Sequence, residues 1–306
     1  MHGSFPGCSG AARRGGVRRA SEAIQDMYGG FRITCNLNFT GTFRDGRQTL
    51  GETFARLSGC GFDGVDFDTE WFIGSEDWRE KGAEAAELAA LHGLDVSFGH
   101  LPFHKLRGPD SLKECILDGI ELASIIGMKR GVVHPKSTPE RLDDLDFNFR
   151  KNIEWFSPLV EKAEKYGVKL LIENMPNYYA DGRMRYGAQP EHIIALADEL
   201  GCGNCWDTGH ANLSEVDQYL GITSLGDRLM GLHLNDNVGG HIDAHLIPGF
   251  GTADWDGVMR ALYDIGYSGT FNFECRTRHL PKAASEFAGY HLMAVARSLI
   301  DRAWKK

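Results

Sequence analysis

The chain of 306 residues is short of positive charge, of paired cysteines and of long apolar runs. Its 33 Lys and Arg stand against 42 Asp and Glu, for a formal net charge of −9. Phosphate-backbone binding relies on Lys and Arg, so this balance argues against nucleic acid as a partner. The seven cysteines are scattered. Cys202 and Cys205 form the one close pair, and no second pair completes a zinc ribbon. A chain this long and 42% hydrophobic has core enough to do without disulfides, which suits a reducing, cytoplasmic setting. No apolar run reaches membrane-spanning length, so no membrane partner is expected. Residues 1–30 carry Arg13-Arg14 and Arg18-Arg19 with no hydrophobic segment after them, unlike a secretory signal. They read as a flexible extension ahead of one domain, residues 31–306, that contains no low-complexity linker.

What is present is a regular alternation. Strand-like runs are expected at Arg32–Phe39, Gly64–Asp68, Asp95–Phe103, Arg130–Pro135, Lys169–Pro176, Asn204–Asp207, Leu229–Asp236 and Gly269–Cys275. Between them lie helical patterns at Thr49–Gly61, Glu76–Gly93, Ser111–Gly127, Asp146–Gly167, Gln189–Leu200, Val216–Leu220 with the segment after it, and Trp255–Gly266, with a last helix from Lys282 towards Arg302. Several of the helices stop at a Gly just before the next strand. Eight short apolar strands alternating with helices predict an α/β protein, a single (β/α)₈ barrel. A doubly wound open sheet is the alternative, but its Gly-rich phosphate loop between first strand and first helix is missing.

Many of these strands end in an ionisable residue: His100, His134, Glu173, Asp207, His233 and Glu274, with His210 three residues past Asp207. In such a barrel the strand ends share one mouth. Clustered buried carboxylates and imidazoles need a common partner, and a divalent cation removes their desolvation cost. The loop after the seventh strand adds Asp243 and His245, whose spacing puts both side chains on one side of an extended segment. Mixed His and carboxylate ligation suits Mn, Zn, Co or Fe(II) and suits Ca poorly.

The motifs IENMP, CWDTGHANL, HLNDN, DAHLIPGFGTADW and GTFNFEC resemble the xylose-isomerase-like barrel superfamily over about residues 31–300. That group holds sugar-phosphate isomerases and epimerases, ketose 3-epimerases, inosose dehydratases and type IV apurinic endonucleases. The epimerase branch implies one metal on Glu173, Asp207, His233 and Glu274, with Mn²⁺ expected first and Zn²⁺, Co²⁺ or Mg²⁺ as alternatives. The endonuclease branch implies further metals on His100, His134, His210, Asp243 and His245, and all five are present. Two departures stand out. Val238-Gly239-Gly240 occupies the place where ketose 3-epimerases carry an arginine, and basic residues at the mouth are few: Lys136, Arg183, Arg185, Arg276 and Arg278.

The resemblance therefore implies a metal-dependent isomerase or epimerase of a small sugar, sugar phosphate or polyol derivative. Glu173 and Glu274 would move the carbon-bound proton, and His210 would bind a substrate hydroxyl or relay a proton. A lyase or dehydratase acting by β-elimination is the first alternative, and a multinuclear-zinc phosphoesterase the second. Trp71, Phe103, His104, Lys136, Trp206 and Arg276 are expected around a carbohydrate substrate, with core packing an equal role for Trp71, Trp206 and Phe103. An asparagine amide from IENMP is expected there too, at position 175. That position is Met175, and the amide belongs to its neighbour Asn174. A homo-oligomer is expected.

Overall fold

The computed structural model describes residues 31–39, 46, 48–104, 106, 111–179, 183–277 and 282–304. The N-terminal stretch 1–30 and Arg278 lie outside them. The strands are β1 (Ile33–Asn36), β2 (Gly64–Asp66), β3 (Asp95–His100), β4 (Arg130–Val133), β5 (Lys169–Glu173), β6 (Gly203–Asp207), β7 (Leu229–His233) and β8 (Phe271–Phe273). The helices are α1 (Leu50–Cys60), α2 (Glu70–Ile73), α3 (Trp78–His92), α4 (Ser111–Ile126), α5 (Leu145–Lys165), α6 (Pro190–Leu200), α7 (Thr208–Leu213), α8 (Gln218–Leu225), α9 (Trp255–Asp264) and α10 (Lys282–Trp304).

All strand pairs are parallel, in the order β7-β6-β5-β4-β3-β2-β1-β8. The two ends of that order meet through one bridge, Leu234↔Phe273. There the Leu234 N–H donates to Asn272 O at 2.8 Å and the Glu274 N–H to Leu234 O at 3.1 Å. The sheet thus closes almost fully into a single (β/α)₈ barrel.

Period two along each strand positions the chemistry. Phe98, Val132, Leu171 and Cys205, with Met230, form a small apolar plug inside the barrel. Two residues beyond four of these plug residues come His100, His134, Glu173 and Asp207, on the same inward face. The alternate residues, such as Leu170 and Ile172, face the larger core between sheet and helices. Register then aligns the tips, with Glu173 beside Cys205 and Asp207 beside His233.

The helices follow their local signals. Thr49 and Glu52 form a reciprocal capping box at the start of α1, and Gly61 closes it in the left-handed conformation. The short helix read from Val216 through Leu220 and the segment after it is α8, and α7, which directly follows β6, is one the sequence pattern did not predict. Asp207 caps α7 directly from the strand end, its Oδ1 accepting from the His210 N–H at 2.6 Å. Asp217 caps α8 through the Leu220 N–H at 2.9 Å. Between them Glu215 turns the chain at φ 54°. Helix α2 had no counterpart in the sequence pattern.

Candidate metal centre

Ligand atoms of Glu173, Asp207, His233 and Glu274 all lie within 4.8 Å of one another. The first three are fully buried, while the Glu274 side chain keeps 15% exposure. His233 Nδ1 sits 2.6 Å from Glu173 Oε1 and 3.6 Å from Glu274 Oε2. Two further groups flank these four. His100 and His134 gather on Glu173 Oε2, at 3.4 and 2.8 Å through their Nε2 atoms. On the other side, Asp243 Oδ2 lies 2.7 Å from His245 Nε2 and 3.7 Å from His210 Nε2. All nine strand-end and loop residues singled out from the sequence thus converge on one place.

The donor set fits a cation. Glu173 Oε2 and His134 Nε2, 2.8 Å apart, are both buried and lack a hydrogen-bond partner; so do His233 Nε2, Asp66 Oδ1 and Asp243 Oδ1. Buried polar atoms are nearly always satisfied. Such crowded, unbonded donor atoms could be satisfied by a cation. Charge points the same way. Burial opposes ionisation of Glu173, yet His233 and His134 hold its carboxyl well below the usual range. Burial pushes the His210 imidazole down, but Asp207 and Asp243 outweigh it and raise it to about 10. Burial, with Glu173 and Glu274 nearby, pushes the Asp207 carboxyl up to about 6 against the pull of His210. The cluster balances its carboxylates with protons on imidazoles, a role a divalent cation takes over when it binds.

Outer contacts fix how the rings face. His210 Nδ1 donates to Asn174 O at 2.8 Å and His245 Nδ1 to Glu274 O at 2.7 Å, which turns both Nε2 atoms towards Asp243. His245 holds this pose at φ 47°, a conformation that costs a non-glycine residue about 1–2 kcal/mol. Behind His233 stands Asp66, 3.4 Å from Nε2. Asp66 is itself held by Asn272 at 3.0 Å, and Asn272 by Thr34 at 2.9 Å.

Asp236 anchors the loop that carries Asp243 and His245. Its buried carboxylate accepts from the N–H groups of Asn237, Gly249, Gly251 and Ala253 and from the Trp255 indole. Neither Asp66 nor Asp236 stood out in the sequence. Asp66 alternates with Asp68 in GVDFD, so period two was the available clue, whereas Asp236 lies past the periodic part of its strand. Gly209 is required by contact: a Cβ there would lie 1.9 Å from Asn235 Oδ1, and Asn235 donates to Asp207 Oδ2 at 2.8 Å.

The residues expected around a substrate divide. Lys136 and Phe103 line a cavity of about 570 Å³ that also includes His134. His104 is anchored to Glu70 at 2.8 Å and is largely exposed. The asparagine contact expected at position 175 is corrected on two counts. Met175 is a buried apolar residue with no side-chain amide, and its backbone N–H donates to Gly187 O at 2.9 Å. The amide of its neighbour Asn174 is engaged at both polar atoms by the Asp207 backbone, at 2.6 and 2.9 Å. Trp206 is core, with its indole N–H on Gln218 at 2.9 Å, and Trp71 packs against the main core. The Arg276 N–H donates to His245 O at 2.8 Å. Cys205 lies near Glu173 and His233, but burial pushes its thiol up to about 12, so it stays protonated.

A profile of the xylose isomerase-like TIM barrel family matches residues 54–293. The chain belongs to that family. An uncharacterised protein of Methanocaldococcus jannaschii is 33% identical over 193 residues, covering 57% of this chain and 62% of that protein. The chain thus matches less than two thirds of that relative's length. Fructoselysine 3-epimerase of Escherichia coli is 24% identical, covering 79% of this chain and 91% of the relative. Among solved structures, a D-tagatose 3-epimerase-like protein superposes with a TM-score of 0.67 at 22% identity, over 89% of this chain and 99% of the other. A D-psicose 3-epimerase from Clostridium cellulolyticum gives 0.71 at 15% identity, over 88% and 99%. At these identities the structural likeness establishes the barrel. Among the described residues no helix is long and apolar enough to cross a membrane.

Proposed function

We propose that this member of the family is a divalent-metal-dependent epimerase or isomerase of a small sugar derivative. The observation that carries the reading is the set of four ligand atoms from β5 to β8 within 4.8 Å, two of them glutamates. Glu173, Asp207, His233 and Glu274 would hold the cation. When bound, it supplies Lewis acidity that makes the C–H beside a substrate carbonyl acidic and stabilises an enediolate. Glu173 and Glu274 then act as the base and acid that remove and return the carbon-bound proton. Their environments differ: Glu173 is sealed from water, while Glu274 borders solvent and can exchange its proton with it. His210, fixed by Asn174, orients a substrate hydroxyl. Asp66 keeps His233 turned towards the glutamates. If the same enediolate carries a β-leaving group, the outcome is elimination, and product mass separates the two.

The flanking groups favour one second reading. Glu173 faces His100 and His134 as well as the quartet, and Asp243 joins His210 and His245. Two or three cations there would suit phosphoester hydrolysis. Plasma mass spectrometry of the purified, dialysed protein decides between the two. About one Mn, Co, Mg or Zn per chain supports the epimerase, and deuterium should then enter a ketose in D₂O. Two or three Zn per chain would overturn it in favour of hydrolysis.

A further inference from the structure

The cavity beside the cluster shares His134 with it and is walled by Phe103, Trp155, Tyr178 and Tyr179. The Phe103 ring centre lies 5.0 Å from that of His134, so the cavity continues directly from the ligands. Two cations enter it, Lys136 and Arg185, and no Asp or Glu lines it. Lys136 rests its ammonium 3.7 Å above the Trp155 ring. Its backbone is pinned on both sides by Asn152, at 2.7 and 2.8 Å. The Arg185 backbone N–H is held by Asn177 at 3.0 Å. Among the described residues neither cationic head has a carboxylate in contact. Partly buried positive charge without a carboxylate partner is a poor structural device and a good anion receptor.

We infer that this cavity is an anion subsite: Lys136 and Arg185 bind a phosphate or carboxylate on the substrate, remote from the reacting carbon. Lys136 follows His134 by two residues, about 7 Å along an extended chain. The anion would be held in the cavity while the aromatic side chains cover the substrate's carbon skeleton. The subsite sits on the loops after β4 and β5, and Val238-Gly239-Gly240 is not among the residues that line it. This inference rests on reading the cluster as a sugar site, but its test needs no turnover. Inorganic phosphate and acetate are titrated separately by calorimetry into the protein as purified. Lys136→Met and Arg185→Met are treated alike, after circular dichroism shows native spectra. One anion should bind, and each variant should weaken it about tenfold, the loss of one charge-assisted hydrogen bond. Arg185→Lys should recover part of the affinity. Preference for phosphate identifies a sugar phosphate, and preference for acetate a sugar acid. Equal binding to wild type and variants would put the anion elsewhere and overturn the inference, as would no binding at all. Deuterium exchange into neutral ketoses without anion binding leaves the epimerase and removes the subsite. Anion binding lost in the variants, with no exchange into any ketose, does the reverse.

Discussion

The quartet on the strand tips and the pair on the β7–α9 loop offer the same chemistry through different supports. Glu173, Asp207 and His233 sit at the ends of hydrogen-bonded strands, each set by register with its neighbour. Asp243 and His245 lie on a loop held by the buried Asp236 carboxylate, by backbone bonds from Leu246 to Asp236 and by the bonds of His245 to Glu274 and Arg276, with a left-handed backbone at His245. A ligand on a barrel strand inherits its position from the whole sheet. A ligand on a loop inherits it from a few local bonds, and one substitution can release it.

The comparison is sharpest where the two regions are cut separately. Glu173→Gln removes one charge from the quartet and leaves the shape. Turnover of an identified substrate should fall by about a thousandfold or more while the melting curve stays near wild type; near-normal activity would end the two-glutamate mechanism. Asp236→Ala strips the partner from several buried N–H groups and should cost about 3 kcal/mol in chemical denaturation. It should also open the 243–254 loop to limited proteolysis. Asp243→Ala is the control, since it removes a loop ligand without freeing the loop. If both variants keep the proteolytic pattern of wild type, the loop has another anchor. The smallest effect is expected far from either region: Thr49→Ala breaks the α1 capping box, for about 1 kcal/mol and no change in metal content.

The same contrast explains what the sequence could disclose. The barrel was legible because eight apolar runs and their Gly-terminated helices repeat a local pattern. The quartet was legible because each member ends such a run. Asp236 was hidden because its partners, Gly249 to Trp255, are defined only once the loop has folded back. The IENMP motif promised a substrate amide just past Glu173, yet Asn174 spends its amide bridging two strands and Met175 turns into the core. The bridge spans 33 residues, a relation that no local spacing reveals. The cavity wall from Trp155 was also hidden, since on α5 an aromatic residue reads as core.

The closure of the barrel has a consequence for motion. Every other neighbouring pair of strands is joined by a ladder, whereas β7 and β8 meet at one bridge. That seam is where local opening is least expensive. His233 stands on one side of it and Glu274 on the other. On the proposed function, a cation gripped by both would be a clasp as well as a reagent. Its binding energy would fall on the weakest joint of the ring, and breathing of the barrel and the integrity of the reaction centre would become one event.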